Sequence, residues 1–303
     1  MKSSNIGGQA VMEGVMMRNA DKYAVAVRKT DGEIVVKTEE YKGIVQNKKI
    51  RSLPIIRGVF SFIDSMVLGM STLTYSASFF MDEEEEEKDE KKESVMMGLT
   101  IACSVVMAVA IFMILPYFLS QLFRKFTDST TLITLLEGAV RLVIFFGYIL
   151  LISRMKDIQR VFMYHGAEHK CINCIEHGME LNVENVLKSS RLHKRCGTSF
   201  LFIVMIVSIL FFLFIRIESP IWRVVFRLLL IPVIAGVSFE FIRLAGKSEN
   251  KLVIFLSKPG MMLQKLTTRE PDASMAEVAI ASVEAGCDWR AYLKENFGWQ
   301  EKV

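Results

Sequence analysis

The sequence predicts a mainly α-helical, polytopic membrane protein. It should have four transmembrane helices, a small N-terminal β unit and a cytoplasmic helical loop rich in histidine and cysteine. Three observations predict it. Hydrophobic residues make up 51% of the 303, with a mean hydropathy of +0.33. That excess is gathered into four stretches, each long enough to cross a hydrocarbon core of about 30 Å as a helix. Lysine and arginine are also unevenly shared among the connecting loops, which sets an orientation.

Residues 1–52 read as a cytoplasmic β unit. "YAVAVRK" and "EIVVKTEEY" alternate apolar and polar residues, and Asp31-Gly32 between them is a hairpin signal. The earlier "GGQAVMEGVMMR" is glycine-rich without the spacing of a phosphate loop, so its glycines read as turn positions. The first residues, "MKSSNIGGQAVMEG", lack the continuous apolar core of a secretory signal.

Residues 53–81, "LPIIRGVFSFIDSMVLGMSTLTYSASFFM", are apolar but interrupted by Arg57, Asp64 and several serines and threonines. They read as an amphipathic helix at the membrane surface or packed on the bundle, or as a re-entrant segment, with a fifth span as the alternative. The run "DEEEEEKDEKKE" marks residues 82–97 as an acidic, solvated linker.

The membrane domain covers 98–244, with spans at 98–123, 132–153, 199–215 and 219–244. The loop 154–198 carries Arg154, Lys156, Arg160, Lys170, Lys188, Arg191, Lys194 and Arg195. The loops after the first and third spans carry only Arg124 with Lys125, and Arg216 with Arg223. The basic loop therefore faces the cytoplasm of a plasma membrane, and an even number of spans puts both termini there too. The tail 245–303 is basic at first and then helical over "SMAEVAIASVEAG", with Gly286 in a C-cap position.

A reducing compartment argues against disulfides among Cys171, Cys174 and Cys196. Cys103, inside the first span, reads as a small buried apolar residue, and Cys287 has no histidine beside it. The chain holds four histidines, and three of them lie in "MYHGAEHKCINCIEHG" with two of the five cysteines. The fourth histidine and a further cysteine follow in "LHKRCGTSF".

"DIQRVFMYHGAEHKCINCIEHG" reads as one helix from an Asp157 cap to a stop at Gly178. At about 100° per residue, His165 and His169 fall within about 40° of each other on the buried stripe with Ile172. Glu168 lies on the same side. Cys171 and Cys174 fall on the far side, so the visible C-x-x-C is a poor partner for the histidines. Glu176 shares the stripe but lies too far along to join His165 on one ion. His177 points away, toward the C-terminal carbonyls.

A second helix, "NVENVLKSSRLHKRCG", is expected from Asn182 to Gly197, with His193 and Cys196 three apart on one face. His165, His169, His193 and Cys196 form a nitrogen and sulfur set suited to a divalent metal, zinc first. The order H-x-x-E-H also matches inverted metallopeptidase motifs, in which the glutamate, here Glu168, is the general base. The competing reading makes His165 and His169 core histidines hydrogen-bonded to carboxylates, and Cys196 a small buried residue.

The chain resembles the YqhQ-like family of bacterial membrane proteins, sometimes described as metal-dependent enzymes. "GGQAVMEGVMMR", "HGAEHK", "HKRCGTSF", "SFEFIRLAGKS" and "PGMMLQKLTTREPD" carry the resemblance over nearly the whole chain. It implies His165, Glu168, His169, His193 and Cys196 as motif positions, and leaves out Cys171 and Cys174.

Two functions fit these residues. The first is a membrane-embedded zinc hydrolase at the cytoplasmic surface, acting on a membrane peptide or a lipid-linked ester or phosphate. Three ligands would leave one position open, and Glu240, at the cytoplasmic end of the last span, could add a ligand or orient a histidine. The second is a non-enzymatic assembly, scaffold or transport factor, whose four ligands close a structural site. Membrane lipid and another membrane protein are the expected partners, and nucleic acid is not among them. Glu137, Arg141, Arg223 and Arg227 form an expected polar site within the spans, or an ion pair such as Glu137 with Arg227.

Overall fold

A computed structural model describes residues 2–80, 90–215, 217, 219–247 and 250–300. Its β unit is a four-stranded antiparallel meander in the order β1 (Ile6–Val11), β2 (Gly14–Asn19), β3 (Lys22–Arg28) and β4 (Ile34–Glu40). Asp31-Gly32 makes the expected hairpin, with Gly32 at φ +90°. The glycines of "GGQAVMEG" are not turn residues. Gly7 and Gly8 lie inside β1, Gly14 opens β2, and Met12-Glu13 makes the turn. Close approach is what demands glycine here: a Cβ on Gly14 would lie 2.3 Å from the Ala26 carbonyl oxygen.

The helices are α1 (Lys48–Ser52), α2 (Ile56–Ala77), α3 (Glu90–Val109), α4 (Leu115–Gln121), α5 (Thr130–Ile152) and α6 (Lys156–Glu176). They continue with α7 (Val183–Lys188), α8 (Gly197–Phe214), α9 (Pro220–Lys247), α10 (Lys251–Thr267), α11 (Ala273–Gly286) and α12 (Trp289–Phe297). The chain is thus mainly helical with one small sheet. Residues 82–89 of the acidic linker lie outside the described residues, and from Glu90 the chain is helical.

Among the described residues, five helices are long and apolar enough to cross a membrane: Ile56–Phe80, Val95–Lys125, Thr130–Ile152, Gly197–Phe214 and Ile221–Gly246. The first, which contains α2, is the least apolar of them. Cys103 is exposed on α3 rather than buried.

The chain divides into two compact units. The first comprises Met1–Phe80, Ser153–Ile203 and Ala235–Val303, and it carries the sheet. One face of the sheet, with Ile6, Val15, Met17 and Ala26, shares a core with Tyr164, Ala167, Cys171, Cys174 and Ile175 of α6 and Met275, Val278, Ala279 and Val283 of α11. The other face, with Val11, Met16, Val25 and Val27, packs with Leu68 of α2. Side-chain bonds fasten α2 there: Asp64 accepts from the Tyr41 hydroxyl and the Ile44 N–H, and Ser76 Oγ accepts from the Met12 N–H.

The second unit comprises Met81–Ile152 and Val204–Ile234. A π-helical turn, Ala110–Ile114, joins α3 to α4 just before Pro116. Pro116 has no N–H to offer the carbonyl four residues back, and its ring crowds that carbonyl. That carbonyl belongs to Phe112, and it accepts from Arg141 Nε at 3.0 Å.

Two expectations for the loop and tail need correction. The helix opening at Asn182 ends at Lys188, so His193 and Cys196 lie on a non-helical stretch leading into α8. The tail holds three helices rather than one, and Gly286 is the last helical residue, with Cys287 as the cap.

Candidate metal centre

The centre begins with α6. His165 and His169 sit one turn apart, as the helical period dictates, with ring centroids 4.4 Å apart. Their Nδ1 atoms both face backbone carbonyls: His165 Nδ1 lies 2.9 Å from Thr267 O, and His169 Nδ1 lies 2.6 Å from Arg191 O. A carbonyl only accepts, so both Nδ1 atoms carry hydrogen and Nε2 is the atom each ring turns toward the centre. Cys196 Sγ lies 3.3 Å from His165 Nε2. The three donor atoms fall within 4.8 Å of one another.

This set fits a metal. Zn–N bonds of about 2.0–2.1 Å and a Zn–S bond of about 2.3 Å put tetrahedral ligand atoms roughly 3.3–3.8 Å apart. Cys196 Sγ and His165 Nε2 already stand near that spacing, and no pair in the set exceeds 4.8 Å. Both histidines are also oriented from behind by hydrogen bonds, as metal ligands generally are.

Cys196 caps the start of α8, where its sulfur accepts the Thr198 N–H at 3.3 Å. Burial opposes a charge on that sulfur. His165 and His169 outweigh the burial and hold the thiol well below its ordinary range. His165 is pulled down by burial and pushed up by Cys196 and Glu168, ending at about 9. His169 is raised by the same sulfur, against its own burial. A thiolate beside a protonated imidazole becomes a ligand set once the Nε2 proton leaves, so a cation binding there releases protons.

The stretch carrying Cys196 is irregular, so its carbonyls need partners from elsewhere. The polar face of α6 supplies them. Lys170 Nζ donates to Leu187 O and Ser189 O, each at 2.8 Å, and Asn173 Nδ2 donates to Ser190 O and Leu192 O. Together with His169, one helix holds five successive or near-successive carbonyls of the loop. Gly166 serves the other side: a Cβ there would lie 2.0 Å from Arg269 O, and the Arg269 N–H donates to Phe162 O at 2.8 Å. That close approach sets Thr267 O against His165.

Glu168 is buried, at 5% exposure, with Oε2 3.9 Å from His165 Nε2. Its carboxyl group lies against Gly8 of β1, where a Cβ would come 2.7 Å from Glu168 Cγ. A cavity of about 800 Å³ opens over Glu168, His165, His169 and Cys196. Its walls come from β1, α2, α6, α8 and α9, and Phe62, Leu68, Phe162, Ile172 and Phe200 make them largely apolar.

The fourth predicted ligand stands beside the trio. His193 is buried against the same cavity, and its ring centroid lies 5.8 Å from that of His169. Its Nε2 faces Glu176 Oε2 at 3.3 Å, while Gln264 brackets its backbone N–H and C=O. Glu176 is fully buried and also accepts from Ser4 and Arg195. Burial works against its charge, yet His193, Arg195 and the Ser4 N–H hold it down at about 2.

Other predicted residues fall elsewhere. Glu240 does not orient a histidine: Arg57 Nε donates to its Oε1 at 2.6 Å, an opposite charge within easier reach. Cys171 and Cys174 are core residues on the far side of α6, and His177 Nδ1 lies 2.7 Å from Asn173 O at the helix end. Sequence reasoning missed the supporting residues Gly8, Gly166, Lys170, Asn173, Gln264 and Thr267. Gln264 and Thr267 stand in "PGMMLQKLTTREPD", whose sequence marks it only as basic tail.

In the second unit, Glu137 is held by two arginines. Arg227 donates to both carboxylate oxygens at 2.6 and 2.9 Å, and Arg141 Nη2 to one at 2.9 Å. Arg141 Nη1 also reaches Ser208 Oγ, and Arg227 stacks over the Phe212 ring at 4.6 Å. Arg223 stands apart from this group: its Nε donates to Ile217 O at 2.8 Å.

Comparisons with known proteins agree with one another. No solved structure matches the chain. It is 37% identical over 301 residues, 96% of its own length and 94% of the relative's, to a Bacillus subtilis (strain 168) protein described as "Uncharacterized protein YqhQ". Residues 53–289, which include every residue of the His/His/Cys centre, match the family model described as "Protein of unknown function (DUF1385)". The chain belongs to this YqhQ-like DUF1385 family.

Proposed function

We propose that this protein is a membrane-embedded, zinc-dependent hydrolase whose site opens at the cytoplasmic surface. One observation carries the reading. His165, His169 and Cys196 converge as three ligands on the wall of a cavity that also holds Glu168, while His193 is engaged by Glu176. Three ligands beside a cavity leave room for a reacting group, whereas a structural site closes with four.

A zinc ion bound there supplies Lewis acidity, polarising the oxygen of an amide, ester or phosphoryl group and making water easier to deprotonate. The protein's own residues do the rest. Thr267 O and Arg191 O keep both Nε2 atoms turned to the centre. Glu168 takes a proton from water and returns it to the leaving group. The apolar walls keep bulk water away and strengthen each of these interactions.

We further infer four membrane crossings, with both termini cytoplasmic. The sheet, α6 and α11 share one core, which supports placing all three on one side of the membrane. Three long apolar helices separate the sheet from α6, and an even number of them must then cross. α2 is the helix to set aside, because it is the least apolar and is packed on the sheet. The basic loop 154–198 gives the side as cytoplasmic.

The test is metal analysis of the purified protein together with three variants. Wild type should carry about one zinc per chain. His165→Ala and His169→Ala should lose it. Glu168→Gln should keep zinc and folding while abolishing function in cells, because removing a general base typically costs 100-fold or more in rate. A functional Glu168→Gln protein would end the hydrolase reading.

A further inference from the structure

One wall of the cavity over the metal centre is a β-strand. Residues Asn5 to Ala10 line it, and they include most of β1. β1 is an edge strand, paired only with β2 among the described strands. The two-residue turn Met12-Glu13 makes Val11 and Gly14 a hydrogen-bonded pair, and the alternation of an antiparallel ladder extends this to Gln9 with Met16 and Gly7 with Arg18. The N–H and C=O groups of Gly8 and Ala10 therefore point off the free edge.

Among the described residues, neither α2 nor α6 makes a hydrogen bond to the Gly8 and Ala10 backbone on that edge. Gln9 reaches α2 through Gly69 O and Val11 packs with Leu68, whereas Ile6 and Ala10 pack toward α6 and Gly8 faces Glu168. The edge thus runs between α2 and α6 and opens on the cavity. Gly7 is exposed, and a Cβ there would meet nothing within 4 Å.

We propose that the substrate is an extended polypeptide segment that docks as a fifth strand on β1, which carries its backbone across Glu168 and the His165, His169 and Cys196 centre. An added strand lies about 4.8 Å from its neighbour, and Glu168 already touches Gly8, so a peptide carbonyl paired near Gly8 lies beside the base and the metal ligands. Alternating donors and acceptors along an edge are matched by a peptide backbone, and by neither an acyl chain nor a phosphate. The two arginines that could suit a phosphate are engaged: Arg195 by Glu176 and Ser3, and Arg18 by Ala20 O at 2.8 Å. Phe62 and Leu68 on one side, and Phe162 and Ile172 on the other, suit apolar side chains alternating up and down.

This inference rests on the hydrolase reading for its chemistry. A water oxygen bonds to the peptide carbonyl carbon and the C–N bond breaks. Glu168 relays one water proton to the departing nitrogen and the second follows, leaving a carboxylate and an ammonium with no change of oxidation state.

The test uses full-length Glu168→Gln protein in nanodiscs, loaded with zinc, so that binding is read without turnover. It is offered a random decapeptide library, the same library N-methylated at alternate backbone nitrogens, and dihexanoyl phosphatidylglycerol. Retained molecules are measured by mass spectrometry. At least tenfold greater retention of the unmodified library is expected, because N-methyl groups remove strand donors and block the approach. Ala10→Pro in the same background should lose that retention and keep its zinc, since the Ala10 N–H is not part of the ladder.

No retained peptide, equal retention of both libraries, undiminished retention by a zinc-loaded Ala10→Pro protein, or retention of phospholipid alone would each overturn the proposal. The library comparison stands even if Ala10→Pro fails to fold. Retained peptides on a protein without zinc would sink the hydrolase and leave the docking edge. Zinc and Glu168 dependence without peptide retention would do the reverse.

Discussion

Replacing Gly166 with Ala sets two effects of opposite sign against each other. Within a helix, Ala is favoured over Gly by about 1 kcal/mol. The new Cβ, however, would lie 2.0 Å from Arg269 O, 3.2 Å from Arg269 C and 3.4 Å from Pro271 Cδ. Relief requires α6 and the 267–271 stretch to separate by about 1 Å, since real Cβ contacts do not fall below 3.0 Å. The obstructing atom is backbone, so no rotamer change removes it. Overpacking of this kind costs about 1–3 kcal/mol, and weakening the Arg269 N–H bond to Phe162 O adds about 1 kcal/mol. The clash wins, with a net loss of roughly 1–3 kcal/mol.

The same displacement carries Thr267 O away from His165 Nδ1. Loss of an orienting partner of this type lowers metal affinity about 10–100-fold. Zinc affinity, measured by competition with a chromophoric chelator on detergent-purified protein, should fall by that factor, alongside a lower unfolding temperature. Gly147→Ala in α5 is the control, because nothing lies within 4 Å of its added Cβ. It should leave zinc binding unchanged and stability equal or slightly higher. Zinc binding by Gly166→Ala within twofold of wild type would refute the account of how His165 is oriented.

Three more expectations follow from single contacts. Glu176, held at about 2 against an ordinary 4.5, contributes stability that is present above pH 4.5 and lost as the pH falls toward 2. Glu176→Gln should therefore lower the unfolding temperature at pH 7, and its deficit against wild type should shrink across that acid window; a constant deficit would remove the charge argument. Glu137→Gln leaves Arg141 and Arg227, both about 95% buried, without their anion, at a cost of about 3–5 kcal/mol in thermal unfolding. Arg223→Gln should cost far less, since that side chain holds only a backbone carbonyl and a ring. Reporter fusions at Ile44, Ser78, Glu180 and the C-terminus should report cytoplasm, and those at Phe126 and Ser219 the outside. Opposite sides for Ile44 and Ser78 would make α2 a true span.

What the sequence made legible, and what it hid, divides by the kind of group involved. The histidine pair was readable because side chains carry identity: two histidines four apart on a helix must share a face, and the same period turned Cys171 and Cys174 away. The long apolar helices were readable because runs of about 20 apolar residues have few other uses. α2 stayed ambiguous for a physical reason. A helix packed on a sheet on one side and opening on a cavity on the other is nearly as apolar as a span, and Asp64 looked like an interruption until Tyr41 and Ile44 proved to be its partners. The strand at "GGQAV" was hidden because Gly8 answers a distant side chain, Glu168, and not a local turn.

The loop that delivers Cys196 was hidden most deeply. Asn182 is a sound cap and the residues after it are fair helix formers, so local propensity favours continuing the helix. The helix stops at Lys188 instead because α6 offers the next carbonyls a better set of partners in Lys170, Asn173 and His169. Thr267 O and Arg191 O, which fix the tautomers of both histidines, belong to the same class. Every residue has a carbonyl, so no composition or spacing marks the one that will orient a metal ligand. The donors can be found from sequence; their acceptors appear only once the chain has folded.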